Sequence, residues 1–579
     1  MSDFQNPQHE PGSEKRLLLA FALTMLILLA MQPFISRYTK QQQAPAPVPT
    51  QQNAPAGAAQ AEAKPAAPRP SPALSAKVAT SETETVVENE LYRITFSNRG
   101  AQVKSWILQQ YQDDKHKPLE LVNTLAAAKY GYPLSLWSYD EGLRKKLNNA
   151  LYVASTTGVQ RAPASLHFEY SDGDMVVRKS FSFDHSYVVK AETSVYVNGS
   201  PVQAYLAWPA GFGDQTVPAS YAAARIDYQS GNSIERIAPK KVSGGNTIRG
   251  PFHWAGPVDQ YFAAVFLPSD PDRAVMVTLQ ESLDIPQNLD KPDPTQVNKV
   301  TVLGAAVGDV NGPSQEHIFV GPKALDVLKS VSPNLEGLVD FGKYFGFIAK
   351  PLFLWLKWTH DHWLANLSDG WGWAIIILTL IINIAVLPLK WSSMKSSLKM
   401  AKIAPQIKAI QEKYKKYKLA DPRRQEMQQE ISALYKKEGA NPVGGCVPML
   451  LQMPFLVAFY SMLGVAIELR QAGFLWIHDL SSADPTHILP IGIIITMYLL
   501  QRMTPAGGMD PVQQKMMSFT MPIFLGVISW SLSAGLCVYW ALGNVIGIVQ
   551  QMIVNRTKFG REMREHMEKQ ARRRGAQRQ

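Results

Sequence analysis

Only two cysteines, Cys446 and Cys537, occur in 579 residues. Both sit in apolar runs and no CxxC pattern is present, so neither a disulfide framework nor a thiolate metal site is written into the chain. The motifs of nucleotide and hydrolytic chemistry are missing too. There is no Walker A loop, GxSxG elbow, HExxH pair or dinucleotide fingerprint, which argues against an energy-coupled pump. A third lack is more specific. The long uncharged runs of the C-terminal half hold no Asp, Glu, Lys or Arg in their interiors. Proton- or ion-coupled transport needs such groups within the membrane. A secondary transporter is therefore disfavoured, and no inverted repeat is visible either.

What is present falls into two compositions. The apolar share of 46% is ordinary for a soluble chain, but it averages a polar N-terminal half with a greasy C-terminal half. The net charge of +11 is gathered in loops and at the C-terminus. Such a pattern sets orientation in a membrane, or attracts anionic lipid or nucleic acid. Within residues 1–40, Leu17–Ser36 supplies twenty uncharged residues, read as an uncleaved membrane anchor. Residues 41–83, rich in Pro, Ala and Gln, read as a semi-extended linker. Residues 84–325 show a period of two. Ile94 and Phe96 alternate with Thr95 and Ser97. Met175, Val177, Lys179, Phe181 and Phe183 alternate with Val176, Arg178, Ser180 and Ser182. With frequent Gly, Asn and Asp turns, this predicts a β-sandwich. His167, Glu169, Asp172, Asp174 and His185 would be the candidates for a sugar-active site there. No motif spacing joins them, and turn and surface roles account for them.

The C-terminal half is organised around Trp371–Leu389, nineteen uncharged residues, enough to cross the roughly 30 Å apolar layer of a bilayer as a helix. Thr379 and Asn383, four apart, share one face of it. Before it, residues 335–366 read as two helices lying in the interface, the second Trp-rich from Pro351. His360 and His362, two apart, do not share a helix face and make no metal pair. After it, residues 390–440 read as a basic helical hairpin, with thirteen Lys or Arg against five acids. Ile403, Ile407, Ile410, Tyr414 and Tyr417 stripe one helix and Met427, Ile431, Leu434 and Tyr435 the other. A span at 441–467, kinked near Pro448 and Pro454, leads to an outer loop at 468–486. A short span at 487–502, a loop at 503–515, spans at 516–532 and 535–555, and a basic tail at 556–579 complete the chain. Placing the basic hairpin and tail inside gives six spans, both termini inside, and the β domain outside. Gly543 and Gly547 read as helix packing. Thr379, Asn383, Gln452, Ser518, Thr520, Ser529 and Asn544 are the neutral polar residues of the spans. Most such residues are packing glue, but Asn and Gln want a partner helix or water, and together they would make a wet pocket.

Four segments carry a family resemblance: NPVGGCVPMLLQMPF (441–455), ELRQAGFLWIHDLSSADP (468–485), DPVQQKMM (510–517) and SAGLCVYWALGNVIGIVQQ (533–551). Residues 371–555 resemble the YidC-type membrane protein insertases, whose relatives act in mitochondria and chloroplasts. The resemblance implies a polytopic α-helical membrane protein of six transmembrane helices, five forming the insertase core, with a cytoplasmic helical hairpin. It also implies a large periplasmic all-β supersandwich, similar to sugar-mutarotase folds, in a Gram-negative inner membrane. It implies no enzyme and no cofactor. The implied activity is to insert and help fold inner-membrane proteins through a hydrophilic groove open to cytoplasm and lipid, alone or with the Sec translocon. By match to the family's segments, Thr379, Asn383, Gln452 and Tyr539 line that groove, and Met453 and Ile528 lie on the slide for the apolar substrate helix. The family commonly carries an arginine in the groove, and the aligned position here is Asn383. The partners expected are nascent membrane proteins, the Sec translocon, and a ribosome or anionic lipid met by Arg572, Arg573 and Arg574, all acting on a monomeric insertase unit. The alternative is a small-solute channel or transporter, which would pass solute without inserting protein.

Overall fold

The computed structural model describes residues 76–287, 293, 295–414, 417, 421–439, 447–504, 516–557 and 561. The anchor at 17–36, nearly all of the linker, and Arg572, Arg573 and Arg574 lie outside the described residues.

The alternation read from the sequence becomes a three-sheet β domain. Its ten-stranded sheet runs through Phe262–Pro268, Ser314–Pro322, Val188–Val197, Met175–Phe183 and Ala164–Ser171 as consecutive neighbours. A five-stranded sheet is built on a long hairpin, Ala274–Pro286 with Val297–Asp309, in unbroken register from Ala274↔Asp309 to Pro286↔Val297. In the third sheet Glu84–Glu88 pairs antiparallel with Tyr92–Ser97 and parallel with Gly158–Arg161. The inward rows bury Ile94, Phe96, Phe181, Trp106 and Trp208 completely. Trp106 and Trp208 approach to 5.8 Å between ring centroids, a large apolar contact with edge-tilted geometry.

One member of the inward row is a cation. Lys179 is fully buried, and its ammonium donates to the carbonyls of Gly100 at 3.1 Å, Ala101 at 2.5 Å and Leu134 at 2.6 Å. Three donors meet three acceptors, which is what makes the burial tolerable. Ala101 and Leu134 both take positive φ, +46° and +59°, turning their carbonyls toward the lysine.

The chain then crosses to a helical bundle. Asp340 ties the crossing segment to the β domain through Arg225 at 3.1 Å and Arg236 at 3.3 Å. Helix α1 spans Gly346–Thr359 and continues as a π-helical turn, His360–Leu364. The sequence suggested two helices meeting at Pro351. Instead Pro351 lies inside α1. A proline near the start of a helix removes a single rung, and the carbonyl it frees belongs to Phe347, which is exposed. Leu354, Trp355, Trp358 and Trp363 are exposed while Ala349, Leu352, Phe353 and Leu356 are buried. An aromatic outer face of this kind suits an apolar or headgroup environment.

Helix α2 runs unbroken through Gly370–Lys413 and carries Pro388 and Pro405 internally. Helix α3, Arg423–Glu438, packs on its far end: Met400, Ile403, Ile407 and Tyr414 close on Met427 and Ile431. Helices α4 (Val447–Val465), α5 (Ile488–Met503), α6 (Met521–Ser529) and α7 (Ala534–Arg556) complete the bundle. Among the described residues, Gly370–Trp391 and Ala534–Arg556 are long and apolar enough to cross a membrane, and Gln452–Val465, Ile488–Met503 and Met517–Ser529 are shorter apolar helices.

The end of α4 and the loop after it dock on the β domain. Gln260 donates to the Gly464 carbonyl at 2.7 Å, and Arg470 and Gln471 donate to the Gln112 carbonyl at 2.8 and 3.2 Å. Burial pushes the Glu468 carboxyl, at this junction, up to about 7.

Candidate functional site: a polar ladder in the helical bundle

Helix α7 is the centre of the bundle. Its Tyr539 stacks on Phe459 of α4 with centroids 4.0 Å apart. Its Asn544 donates to Thr496 of α5 at 3.2 Å. Gly543 and Gly547 point to different helices. A Cβ on Gly543 would lie 3.5 Å from the Gln452 amide nitrogen of α4, and one on Gly547 would lie 3.1 Å from Leu500 of α5. The small residues thus let α7 approach two neighbours closely, the packing role expected of such a pair.

The polar residues of α2 form a ladder along its buried face. Thr379 is fully buried and its hydroxyl donates to the Ile375 carbonyl at 2.6 Å. Asn383, 6% exposed, donates to the Thr379 carbonyl at 2.8 Å. The sequence reading expected asparagine to need a second helix or water. Here its donor is satisfied one turn back on its own helix. Its acceptor is taken from the other direction, by Lys390, whose ammonium donates to Asn383 Oδ1 at 2.7 Å.

Lys390 is the residue that sequence reasoning missed. It lies at i+7 from Asn383, two turns on the same face, and was counted there only as the first charge after the span. Side chains on a helix lean toward its N-terminus. A lysine two turns on, about 10 Å along the axis, can therefore reach back to the amide.

The remaining residues take three positions. Gln452 and Met453 are half-buried on α4, Tyr539 is buried at 2% exposure, and Ile528 is half-buried on α6 against the main core. Beside Ile528, α6 exposes Ile523, Phe524 and Val527 as an apolar strip. The structure thus gathers Gln452 and Tyr539 at the α4–α7 contact and Thr379 and Asn383 along α2, with Met453 and Ile528 on separate helices. Thr379, Asn383 and Tyr539 are closed off, whereas Gln452 and Lys390 are half-open.

Comparison with known proteins is direct. The 60Kd inner membrane protein family matches residues 363–562, and the YidC periplasmic domain matches residues 84–355. A membrane protein insertase YidC from Syntrophus aciditrophicus is 32% identical over 502 residues, covering 82% of this chain and 85% of the relative. The chain belongs to the YidC family of membrane protein insertases. The insertase of Bordetella avium is 29% identical over 83% of this chain and 85% of its own length. That of Wolinella succinogenes is 44% identical over 41% of this chain and 42% of its own.

The chain is therefore a membrane protein insertase acting on nascent membrane proteins, and the family is not a known enzyme class. Its YidC relatives are inner-membrane proteins, and its β-sandwich is the periplasmic domain of that family. Nothing in these comparisons supports a solute channel.

Proposed function

We propose that this insertase works through a hydrophilic groove whose floor is the α2 ladder and whose wall is the α4–α7 contact. The observation that supports this is the alignment of Thr379, Asn383 and Lys390 on one face of a helix otherwise apolar from Trp371 to Leu389. Six transmembrane helices, with both termini cytoplasmic and the hairpin 390–440, the far end of α2 with α3, in the cytoplasm, put the Lys390 end of the ladder at the cytoplasmic mouth. Gln452 stands at the wall and Tyr539 behind it. A substrate's polar segment enters there, sparing part of the cost of carrying unsatisfied polar groups into lipid. Its apolar helix slides past Met453 of α4 and Ile528 of α6, and burial of that helix in lipid drives the step. Helix α5, of 16 residues, is about 24 Å long and locally thins the bilayer, shortening the path. The tail around Arg572, Arg573 and Arg574 meets ribosomal phosphates or anionic lipid headgroups, and the insertase acts as a monomer, alone or beside the Sec translocon.

The groove is tested by thiol labelling in a background with Cys446→Ser and Cys537→Ser. A polar, membrane-impermeant maleimide is expected to label Gln452→Cys fastest and Asn383→Cys more slowly. Leu380→Cys, on the exposed apolar side of α2, stays unlabelled. Uniform protection of all three would end the groove reading.

A further inference from the structure

We propose that Asp214 and Asp259 share a single proton and form a pH-sensitive latch, which holds the β domain on the helical bundle and lets go as the pH on the β-domain side rises. The latch stands apart from the groove and does not depend on it.

The first ground is a pair of orphaned oxygens. Asp259 is 4% exposed, and its Oδ1 accepts from the backbone N–H groups of Tyr261 at 2.8 Å and Phe262 at 2.6 Å. Among the described residues, Asp259 Oδ2 and Asp214 Oδ1 are both sealed from solvent and meet no donor. The two carboxyl groups lie within hydrogen-bonding reach of each other. Two ionised carboxylates at that range repel, and buried oxygens without a donor are costly. One proton held between them removes the repulsion and supplies the missing donor. The backbone decides which group keeps it. Two N–H bonds favour the ionised form of Asp259, so Asp214 is the acid. Burial first and the Asp259 charge second push the Asp214 carboxyl well above the usual carboxylate range.

The second ground is where the pair sits. Asp259 opens the turn between strands Trp254–Val258 and Phe262–Pro268, and the next two residues of that turn both reach the bundle. Gln260 donates to the Gly464 carbonyl of α4 at 2.7 Å, and the Tyr261 hydroxyl is hydrogen-bonded to Ser481 in the loop after α4. The charged groups around the pair come from both sides of the junction. Arg470 of that loop and Asp114 of the β domain face Asp214, beside the Tyr221 phenol. Asp479 and Arg470 face Tyr261. Lys323 faces Asp259 and donates to its carbonyl at 2.6 Å, with Arg225, Asp227 and Asp340 behind it. A cavity of about 290 Å³, lined by Tyr111, Glu468 and Arg470 among others, lies at the same junction and leaves room for the two surfaces to part.

The sign follows from proton counting. Docked, Asp214 keeps its proton above the usual range; released into water, it returns toward 3.8. The docked form binds more protons, so docking weakens as pH rises, by at most about tenfold per pH unit for one proton. Glu468, at about 7, adds a fall of the same sign. Lys323, at about 8, acts in the opposite sense above that value.

The test uses the full chain in lipid nanodiscs with Cys446→Ser and Cys537→Ser. Spin labels are placed at Val159→Cys and Leu475→Cys, one on each side of the junction and both exposed. Pulsed electron paramagnetic resonance reads the ratio of docked to released chains between pH 5 and 8. That ratio is expected to fall with pH. In Asp214→Asn, whose amide donates to Asp259 at every pH, the fall should become shallower by up to about tenfold per pH unit. Asp259→Asn keeps an acceptor for the two backbone N–H groups and donates to the Asp214 carboxylate. It should flatten the fall likewise, and it gives an independent reading should Asp214→Asn fail to accumulate. Glu468→Gln, which leaves the pair intact, should keep a fall. A distance that does not change from pH 5 to 8, or a fall as steep in the Asp214→Asn or Asp259→Asn chain as in its parent, would overturn the latch.

Discussion

Lys179 offers a sharp physical test of the β domain. A fall from 10.5 to about 7, caused by burial, at ~1.4 kcal/mol per pH unit is a penalty of about 5 kcal/mol. The sign follows from proton counting. Below pH 7 folded and unfolded chains both hold the proton, and the penalty is fully present. Between pH 7 and 10.5 the unfolded chain binds more, so stability rises with pH. From pH 7 to 9 the gain approaches roughly 3 kcal/mol at the same conversion. Lys323, pushed down to about 8 by burial, adds a smaller rise that begins higher. Urea unfolding of the full chain in detergent, followed by near-ultraviolet circular dichroism of the Trp106–Trp208 pair, measures it. Lys179→Met should lose the rise that begins at pH 7 and keep only the later one. It should also be less stable at pH 9 by a few kcal/mol, because the neutral amine present there still donates two N–H bonds to the buried carbonyls, each worth about 1–3 kcal/mol when lost. A variant with the wild-type pH slope, or as stable as wild type at pH 9, would refute the reasoning.

Substitutions at two further residues probe the bundle and its junction with the β domain. Tyr539→Ala should cost about 3–5 kcal/mol by opening a cavity beside Phe459, whereas Tyr539→Phe keeps the 4.0 Å stack. Thermal melts in detergent should separate the two variants clearly. Glu468, raised from 4.5 to about 7 by burial, holds its proton more tightly folded than unfolded. Stability should therefore fall as pH rises between those values and level off above 7. Glu468→Gln should remove that fall and be the more stable protein at pH 8, by about 3 kcal/mol; equal melting temperatures for wild type and variant at pH 8 would contradict the assignment.

The fold was legible in the sequence wherever a period met a long run. The alternation through Met175–Phe183 returned as strands with the inward row buried, Lys179 included. The stripe of Ile403, Ile407 and Tyr414 returned packed on Met427 and Ile431. The break placed at Pro351 was misread, because a single proline near a helix start removes one bond, at the exposed residue Phe347, and the rest of the helix continues. The candidate site was legible as residues but not as geometry. Thr379 and Asn383 were visible as a polar notch, and the absence of a charge at 383 was visible too. Nothing in a count of neighbours along the chain shows that a lysine seven residues later bends back to that amide. Such reach is a property of side-chain direction on a helix, and it becomes visible only when the i+7 position is examined for long cations as well as for packing. The closure of Tyr539 against Phe459 was equally hidden, since two aromatics eighty residues apart carry no periodic signal.

Among the described residues, the polar contacts that α7 makes with its neighbours are neutral. Asn544 meets a threonine hydroxyl and Gln452 faces a glycine, while along α2 Thr379 and the Asn383 amide nitrogen donate to carbonyls of their own helix and Asn383 Oδ1 accepts from Lys390. Neutral interhelical hydrogen bonds within a membrane are worth about 0.6–2 kcal/mol each, and the shape of the bundle is set instead by apolar contacts such as Phe459–Tyr539 and Ile494 against Gly526. Among its described residues the bundle interior has no buried ion pair to break when a polar segment enters, a rupture that costs about 3–5 kcal/mol where such pairs exist. In the proposed groove, incoming backbone and side-chain groups need only exchange with hydroxyls, amides and water of comparable strength. The division of labour follows physically from the composition. Packing holds the helices, and in the groove proposed above weak polar groups would make passage nearly isoenergetic, the net free energy of insertion coming from the substrate's own apolar helix reaching lipid. That is how an insertase can act without nucleotide chemistry.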